Sequence, residues 1–406
     1  MAASRLALHG GAPVRGPDKS WPAWPVFDDA ERRALNETLE SCAWWYGERV
    51  AAFEGAFAAF QGAAHCVSCT SGTTAGEIAI QAMDIAPGDE VIVPPYTFIA
   101  TATCVARMGG TPVFVDVDDA WNLNADLIDA AITPRTRAIM PVHFSGRVCD
   151  MDRINAIAAR HGAAVIEDAC HAWGATYQGK GAGTLGKAGI FSFQMSKNIT
   201  AGEGGAIVTD DPDFAEVCRS ITHCGRGSDS AWYGHVRVGT NARLTEFQAA
   251  VLNAQLGRLE EQTIRRERNG ERLAAVLAQV EGLTPQPGDP RITRRAYHLF
   301  CLRIDPERFG CSRDAFVRAA EAEGLPIGAG YGMPIYHQQA FRSGRFAGRY
   351  DAVSCPVAED LCYRSGMWFS HQLLLGDEAD IADIIEIVHK IKANAAALRA
   401  MDADEE

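Results

Sequence analysis

The strongest constraint on the fold is a regular alternation of short apolar segments with helical segments between residues 64 and 209. Strands are predicted at residues 66–69, 90–94, 112–116, 138–143, 163–167, 190–193 and 206–209, and helices at 74–84, 100–108 and 150–160. This succession is typical of a mostly parallel sheet with helices on both faces. Ligands of such sheets bind beyond the carboxyl ends of the strands, so the loops that follow the strands should contain the functional residues.

The segments outside this alternation predict three parts of the chain: an N-terminal arm with a short helix (residues 1–48), a large α/β domain (49–281) and a smaller C-terminal α+β domain (282–406). The second boundary is predicted from glycine and proline residues at 282–290, which end a long helix. The further predicted elements are helices at 28–42, 49–61, 247–280, 313–323 and 378–401 and strands at 297–304 and 368–374.

Charge and cysteine content exclude several classes of protein and site. The 406 residues have a formal net charge of −13 and a pI near 5.4 without clustered Lys and Arg, so we expect no nucleic-acid or membrane partner. The longest apolar runs are too short to span a bilayer, and the N-terminus has no signal-peptide pattern. Twelve scattered cysteines suit reduced thiols in a cytoplasmic protein. Cys66 and Cys69, the one close pair, lack the second half of a zinc site, so no metal is expected.

A single lysine, Lys197, stands between an aromatic strand and a glycine-rich turn in the segment 191–205. An apolar run at 206–208 follows immediately. Such neighbours would remove part of the water around the ammonium group, lower its pKa and leave a neutral amine able to form a Schiff base. The alternative is an ordinary exposed lysine in a hairpin, and this segment alone does not distinguish the two.

Three loops after predicted strands contain further candidate residues. At residues 70–74, hydroxyl side chains and a glycine precede a helix, which suits either a bound phosphate or a simple helix cap. Phe98 follows the second strand, where it could stack on a planar ring or pack in the core. Glu167 and Asp168 end another strand, and His171 lies three residues beyond Asp168. A carboxylate buried there needs a cationic partner, such as a protonated pyridine nitrogen.

These residues occur in the order found in pyridoxal-phosphate enzymes of the aspartate-aminotransferase fold. The sequence resembles, over nearly its whole length, the DegT/DnrJ/EryC1/StrS family of aminotransferases of sugar and cyclitol antibiotic biosynthesis. The matching motifs are Thr-Ser-Gly-Thr at 70–73, Pro-Pro-Tyr-Thr-Phe at 94–98, Pro-Val-His at 141–143, Glu-Asp-Ala at 167–169, Gly-Glu-Gly-Gly at 202–205 and Asn-Ala-Arg-Leu-Thr-Glu at 241–246. The resemblance implies an α/β transferase of fold type I, with a mostly parallel central sheet and a smaller C-terminal α+β domain.

The resemblance also implies roles for individual residues. Lys197 would bind the aldehyde of pyridoxal 5′-phosphate as a Schiff base, and Asp168 would keep the pyridine nitrogen protonated, which preserves its ability to draw electrons from a substrate carbanion. The other implied cofactor residues are Phe98 on the ring face, His171 beside the phenolic oxygen, Ser71, Gly72, Thr73 and Ser192 at the phosphate, and Asn241 at the phosphate of the other subunit. The role of Asn241 implies a homodimer with shared active sites.

The expected activity is the transfer of an amino group from a small-molecule donor to a keto acceptor. A pyridoxal-phosphate-dependent dehydratase of the same family and a catalytically silent regulator with the same fold are alternatives. The dehydratases are expected to have His in place of the lysine, so Lys197 counts against them. Retention of the implied cofactor contacts counts against a silent regulator.

Two segments, at residues 44–47 and 367–373, predict the substrate class, because many nucleotide-sugar members of the family have different sequences there. Both segments resemble the subgroup containing glutamine:scyllo-inosose aminotransferases and 3-amino-5-hydroxybenzoate synthases. The candidate substrate residues are Trp44, Trp45, Tyr46, His337 and His371. They would suit a neutral polyhydroxylated ring, or they belong to the core. We expect glutamine-dependent amination of a keto-cyclitol or related carbocycle, with 3-amino-5-hydroxybenzoate synthesis or amination of nucleotide keto-sugars as alternatives.

Overall fold

The computed structural model describes residues 4–228, 231 and 233–399. The strands are β1 (His65–Cys69), β2 (Glu90–Val93), β3 (Thr111–Phe114), β4 (Thr136–Ile139), β5 (Ala164–Asp168), β6 (Thr176–Tyr177), β7 (Lys180–Gly181), β8 (Ala188–Ser192), β9 (Gly205–Thr209), β10 (Leu283–Pro285), β11 (Ile292–Arg294), β12 (Leu299–Ile304) and β13 (Gly366–Ser370). The helices are α1 (Asp29–Ser41), α2 (Glu48–Gln61), α3 (Gly72–Ala82), α4 (Ala100–Arg107), α5 (Ala125–Ala131), α6 (Met151–His161), α7 (Pro212–Thr222), α8 (Glu246–Leu277), α9 (Pro306–Phe309), α10 (Arg313–Ala322), α11 (Gln339–Arg342), α12 (Pro356–Asp360) and α13 (Glu378–Ala393).

A seven-stranded sheet forms the centre of the fold, with the strand order β1-β9-β8-β5-β4-β2-β3. The pairs β2–β3, β2–β4, β4–β5 and β5–β8 are parallel, which confirms the mostly parallel sheet predicted from the sequence. Neighbouring side chains enter cores on opposite faces: Ile207 of β9 packs in the core that contains α3 and α4, and Val208 in the core that contains α2 and α6.

β9 runs antiparallel to both of its neighbours, β1 and β8. The reason is that the chain returns from β8 directly, without the helix that a parallel connection requires. The β8–β9 pairing ends with Ser192 opposite Gly205, and the backbone N–H of Phe193 donates to the Gly204 carbonyl oxygen at 2.8 Å. The connecting turn contains Lys197, which therefore lies at the carboxyl end of β8.

Some elements differ from the sequence predictions. Helices α5 and α7 lie in segments where none was predicted, although α7 has a recognisable start, with Asp211 capping its first turn and Pro212 at its first position. The last strand ends at Ser370, not at residue 374, because the chain turns into a 3₁₀ helix at His371–Leu375. Helix α13 ends at Ala393, short of the predicted residue 401, which lies outside the described residues.

The C-terminal part of the chain forms a second, three-stranded antiparallel sheet with the order β10-β12-β13. It packs against α10, α13 and the end of α8 around a core that includes Leu273, Phe300, Phe316, Phe369 and Ile384. β11 lies apart from this sheet and pairs with β6 instead. The predicted domain boundary at residue 282 stays a prediction.

A fully buried carboxylate, Glu167, fixes the end of β5. Its two oxygens accept hydrogen bonds from the backbone N–H groups of Gly183, Leu185 and Gly186 at 2.6–2.7 Å. His143 Nε2 lies 2.8 Å from Glu167, and His143 Nδ1 accepts from a backbone amide, so the Nε2 proton is donated to the carboxylate. These donors compensate for the burial of the charge.

We predict that Glu167→Gln destabilises the protein by about 3 kcal/mol, because an amide nitrogen would face backbone N–H groups that need an acceptor. Thermal unfolding should show a midpoint lowered by several degrees. The matched control is Glu386→Gln on the exposed face of α13, which should leave the midpoint unchanged. Equal midpoints for Glu167→Gln and the control would contradict a stabilising role for the carboxylate.

Candidate active site

A cavity of about 730 Å³ opens at the carboxyl ends of β1, β2, β5 and β8. The sheet contributes one side of it, and the other side comes from the start of β12, from β13 and from the loop at Tyr331. The predicted cofactor residues that line it are Ser71, Gly72, Thr73, Phe98, Asp168, His171, Ser192 and Lys197. The cavity therefore brings together residues that are far apart in the sequence: Ser71 and Lys197 are separated by more than half the length of the predicted large domain.

The loop after β1 forms the N-terminus of α3 against the β8–β9 hairpin. Ser71 is the helix cap, since its hydroxyl accepts from the backbone N–H of Thr74 at 3.1 Å. Gly72 fits where a larger residue would not, because a Cβ atom there would lie 2.6 Å from the Cβ of Ser192. This close approach brings the first turn of α3 next to Ser192, where the sequence predicts the phosphate of the cofactor.

Asp168 is buried at the end of β5, on the opposite side of the strand from Glu167. One oxygen accepts from the Thr101 hydroxyl at 2.7 Å and the other from the Cys170 backbone N–H at 3.2 Å. Among the described residues, no Arg, Lys or His side chain forms an ion pair with Asp168. Two neutral donors leave the negative charge only partly compensated, so the site suits a cationic group of a bound molecule.

The Lys197 amine has no hydrogen-bond or ion-pair partner among the described residues, and lies 5.9 Å from the centre of the Trp173 ring. Burial lowers the pKa of Lys197, and this effect outweighs the opposing influence of Cys170 and Asp168. A lowered pKa increases the fraction of neutral amine, which is the form that reacts with an aldehyde. The alternative considered from the sequence was an ordinary exposed lysine in a hairpin. Lys197 does lie in a hairpin turn, but this turn lines the cavity.

His171 and Phe98 complete the part of the cavity predicted to hold a ring. His171 Nδ1 accepts the Ser145 backbone N–H at 3.3 Å, and burial holds the pKa of His171 well below its usual value. The imidazole is therefore neutral with its proton on Nε2. The Phe98 side chain is 58% exposed at the rim, so its ring is free to cover a bound planar group.

This arrangement fits pyridoxal 5′-phosphate on three structural grounds: a buried acid with only two neutral donors, an amine without a hydrogen-bond partner among the described residues, and a helix N-terminus held against Ser192 because Gly72 has no side chain. The acid would lie at the pyridine nitrogen, the amine at the aldehyde, and the first turn of α3 with Ser192 at the phosphate. Within the described residues, no group of three or more His, Cys, Asp or Glu side chains has the geometry of a metal site.

Six other predicted residues, including His371, lie outside the cavity lining of this chain. Trp44 and Trp45 are half exposed, and Trp44 packs against Phe247. Asn241 is exposed and pairs with His223. Tyr46 and His337 have partners of their own: the Tyr46 hydroxyl donates to Glu54 at 2.9 Å, and His337 Nδ1 lies 2.7 Å from the Tyr363 hydroxyl.

His371, the remaining predicted substrate residue, is fully buried behind the cavity. Its Nε2 atom lies 3.1 Å from the Ser196 carbonyl oxygen, so it supports the turn that contains Lys197. Its ring also makes an edge contact with Trp24, at 4.5 Å between ring centres.

The cavity contains three residues that the sequence analysis did not name, Thr101, His298 and Tyr331, together with Trp368 and Ser370 from the predicted substrate segment 367–373. Thr101 was detectable in principle, because it lies in the first turn of the helix after a predicted strand end. His298 and Tyr331 lie in the C-terminal part of the chain, and no local pattern connects them to Lys197. Among the described helices, none combines the length and the apolar character needed to cross a bilayer.

Comparison with known proteins gives a consistent result. The model of the DegT/DnrJ/EryC1/StrS aminotransferase family matches residues 25–389. The chain is 41% identical to the 3-amino-5-hydroxybenzoate synthase of Amycolatopsis mediterranei, over 92% of this chain and 98% of that protein. It is 37% identical to the L-glutamine:2-deoxy-scyllo-inosose aminotransferase of Streptomyces kanamyceticus, over 98% of this chain and 100% of that protein.

A crystal structure of 3-amino-5-hydroxybenzoic acid synthase superimposes with a TM-score of 0.85 at 40% sequence identity, covering 93% of this chain and 99% of that one. The fold of that enzyme is therefore also the fold of this chain. The family match and these similarities show that the chain belongs to the DegT/DnrJ/EryC1/StrS aminotransferase family and is a pyridoxal-phosphate-dependent aminotransferase.

Proposed function

We propose that the enzyme transfers an amino group from L-glutamine to the keto group of a cyclitol or related carbocycle in the biosynthesis of a natural product. The observation that supports transamination most directly is the unpartnered Lys197 amine in one cavity with Asp168. Relatives named as glutamine:scyllo-inosose aminotransferases, 36–38% identical over at least 97% of this chain, support the substrate class.

The residues of this chain have separate tasks in that reaction. The bound cofactor supplies an electron sink for the substrate carbanion. Asp168 would keep the pyridine nitrogen protonated, and Thr101 orients Asp168 through its 2.7 Å hydrogen bond. Lys197 would hold the cofactor through its amine and, once free, would carry a proton to or from the substrate carbon. His171 would offer its Nε2 proton as a hydrogen-bond donor to the cofactor.

The aromatic part of the cavity lining suits an acceptor with a ring. No arginine lies among the described residues that line it, and its charged residues are Asp168, Lys197 and Glu203. The carboxylate of L-glutamine would need a cation from outside this lining, whereas the faces of a cyclitol ring pack on aromatic side chains. Tyr331 and Trp368 provide such a surface, with their ring centres 6.0 Å apart.

Synthesis of 3-amino-5-hydroxybenzoate is the second candidate, because the relative with that name is 41% identical. Its aromatic product carries a carboxylate, as L-glutamine does, so the absence of arginine from the described cavity lining does not distinguish the two candidates.

We further propose that the enzyme is a homodimer with shared active sites. Trp45 lies 6.4 Å from His223, and His223 pairs with Asn241, so the aromatic segment and Asn241 share one surface. That surface is separate from the cavity of the same chain and exposes large apolar groups, including Val238. Residues predicted to contact substrate and phosphate are thus available to the site of a partner.

Replacement of Lys197 by alanine should lower kcat by at least about a thousandfold, because both the covalent link and the proton carrier are lost. Steady-state assays measure kcat, and borohydride reduction should attach the cofactor irreversibly to the wild type but not to Lys197→Ala. Lys180→Ala, at an exposed position in β7, is the matched control and should keep full activity. Retention of wild-type turnover in Lys197→Ala would end the proposed mechanism.

The substrate class is tested by incubating the holoenzyme and L-glutamine with a panel of keto acceptors. The panel contains scyllo-inosose, 2-deoxy-scyllo-inosose, aminodehydroshikimate and nucleotide keto-sugars, and amino products are measured by mass spectrometry. We expect the inososes to have the highest kcat/KM. Turnover of aminodehydroshikimate alone would favour the second candidate, and turnover confined to nucleotide sugars would exclude both.

Shared active sites are tested by mixing two inactive variants, Lys197→Ala and Asn241→Ala. If Asn241 serves the partner's site, each hybrid dimer has both substitutions in one site and none in the other. Since about half of the dimers are hybrids after random exchange, activity should return to about a quarter of the wild-type value. Light scattering should give the mass of two chains. An active monomer, or no activity after subunit exchange, would contradict the shared-site proposal.

A further inference from the structure

His298 is a buried histidine that lines the cavity and is not among the residues that act in the proposed reaction. It immediately precedes β12 and is only 4% exposed. Its backbone is fixed on both sides: its N–H donates to the Ser145 carbonyl oxygen at 2.8 Å, and its carbonyl oxygen accepts from the His371 N–H at 3.0 Å. The ring is therefore attached to a rigid sheet edge and not to a mobile loop.

The hydrogen bonds of Asn198, which follows Lys197 in the chain, determine which nitrogen of His298 carries the proton. Asn198 Nδ2 donates to the Ala296 carbonyl oxygen at 3.0 Å, so Asn198 Oδ1 is an acceptor. His298 Nδ1 lies 2.9 Å from Asn198 Oδ1 and must donate. In a neutral imidazole the other nitrogen, Nε2, then has a free lone pair.

The surroundings keep this imidazole neutral. Burial holds the pKa of His298 well below its usual value, and His171, Lys197, His371 and Arg266 act in the same direction. The rings of His298 and His171 are 4.3 Å apart between centres and tilted by 41°, which is ring packing and not a hydrogen bond. Nε2 has no hydrogen-bond partner among the described residues and is not enclosed by protein atoms.

The two neighbouring histidines thus differ in the hydrogen-bonding group that they leave unused. In His171, Nδ1 accepts from the Ser145 amide, so Nε2 carries the proton and is a donor. In His298, Nδ1 donates to Asn198, so Nε2 carries the lone pair and is an acceptor. His143, a histidine with a purely structural environment, uses both nitrogens within the protein. One unused acceptor on a rigid buried ring at a cavity wall is instead typical of a ligand contact.

We propose that His298 is a specificity-determining residue that accepts a hydrogen bond from a hydroxyl group of the ring substrate. This inference rests on the proposed function, because it requires an acceptor substrate with hydroxyl groups near its keto carbon. A ring in which that hydroxyl is replaced by hydrogen leaves the buried lone pair without a donor, so the enzyme selects against it. His298 acts on the keto acceptor and has no part in the reaction with glutamine.

The test compares His298→Phe, which keeps a ring of similar size but has no acceptor, with His298→Gln, whose side-chain oxygen can accept. The substrates are scyllo-inosose and a series of analogues that each lack one hydroxyl group. For the wild type, one analogue should have a kcat/KM about tenfold lower than that of scyllo-inosose. His298→Phe should lose about tenfold on scyllo-inosose and nothing further on that analogue, whereas His298→Gln should keep most of the discrimination.

The half-reaction with L-glutamine, followed by the change in cofactor absorbance, separates this role from a structural one. It should proceed at the wild-type rate in both variants and in the control His389→Phe, an exposed position of α13. Equal losses in the glutamine half-reaction and on every ketone would overturn the inference in favour of a structural role. If His298→Phe discriminates between scyllo-inosose and the analogue as the wild type does, the role of His298 is wrong but the proposed function stands. If the wild type aminates no hydroxylated ring ketone, the proposed function is wrong as well.

Discussion

The site depends on two adjacent carboxylates at the end of β5 that point to opposite sides of the strand. Glu167 is enclosed by three backbone N–H groups and His143, which fix the strand end from behind. Asp168 can therefore face the cavity with only Thr101 and one backbone amide as donors. Because a buried carboxylate is costly without donors, the full set around Glu167 offsets its burial, whereas the incomplete set around Asp168 leaves that charge available to a cationic partner.

The second constraint is the close contact between the first turn of α3 and the β8–β9 hairpin. The absence of side chains at Gly72 and Gly205 allows it, since a Cβ atom at Gly205 would lie 2.2 Å from the Ser71 carbonyl oxygen. The same hairpin turn contains Lys197. The groups proposed to bind the phosphate and the amine of Lys197 are consequently held at a fixed separation by backbone packing, which is the kind of preorganisation that catalysis requires.

The cavity wall opposite the sheet has a different character. Its side chains are neutral and largely aromatic, and they come from the C-terminal sheet and the loop at Tyr331. The groups that would hold the cofactor thus lie on the large sheet, and the groups that would contact the acceptor lie on the small one. This separation allows substrate choice to change through the C-terminal part of the chain while the cofactor chemistry stays the same.

The sequence by itself determined the alternating strands and helices and the local parts of the site, Ser71–Thr73, Asp168 and Lys197, because each depends on neighbours in the chain. It did not determine the direction of β9, nor the partners that hold Glu167 behind the strand. Only the tertiary structure placed His298 and Trp368 opposite Lys197 and kept Trp44 away from it. Those positions result from packing between segments far apart in the sequence, and local periodicity contains no information about such contacts.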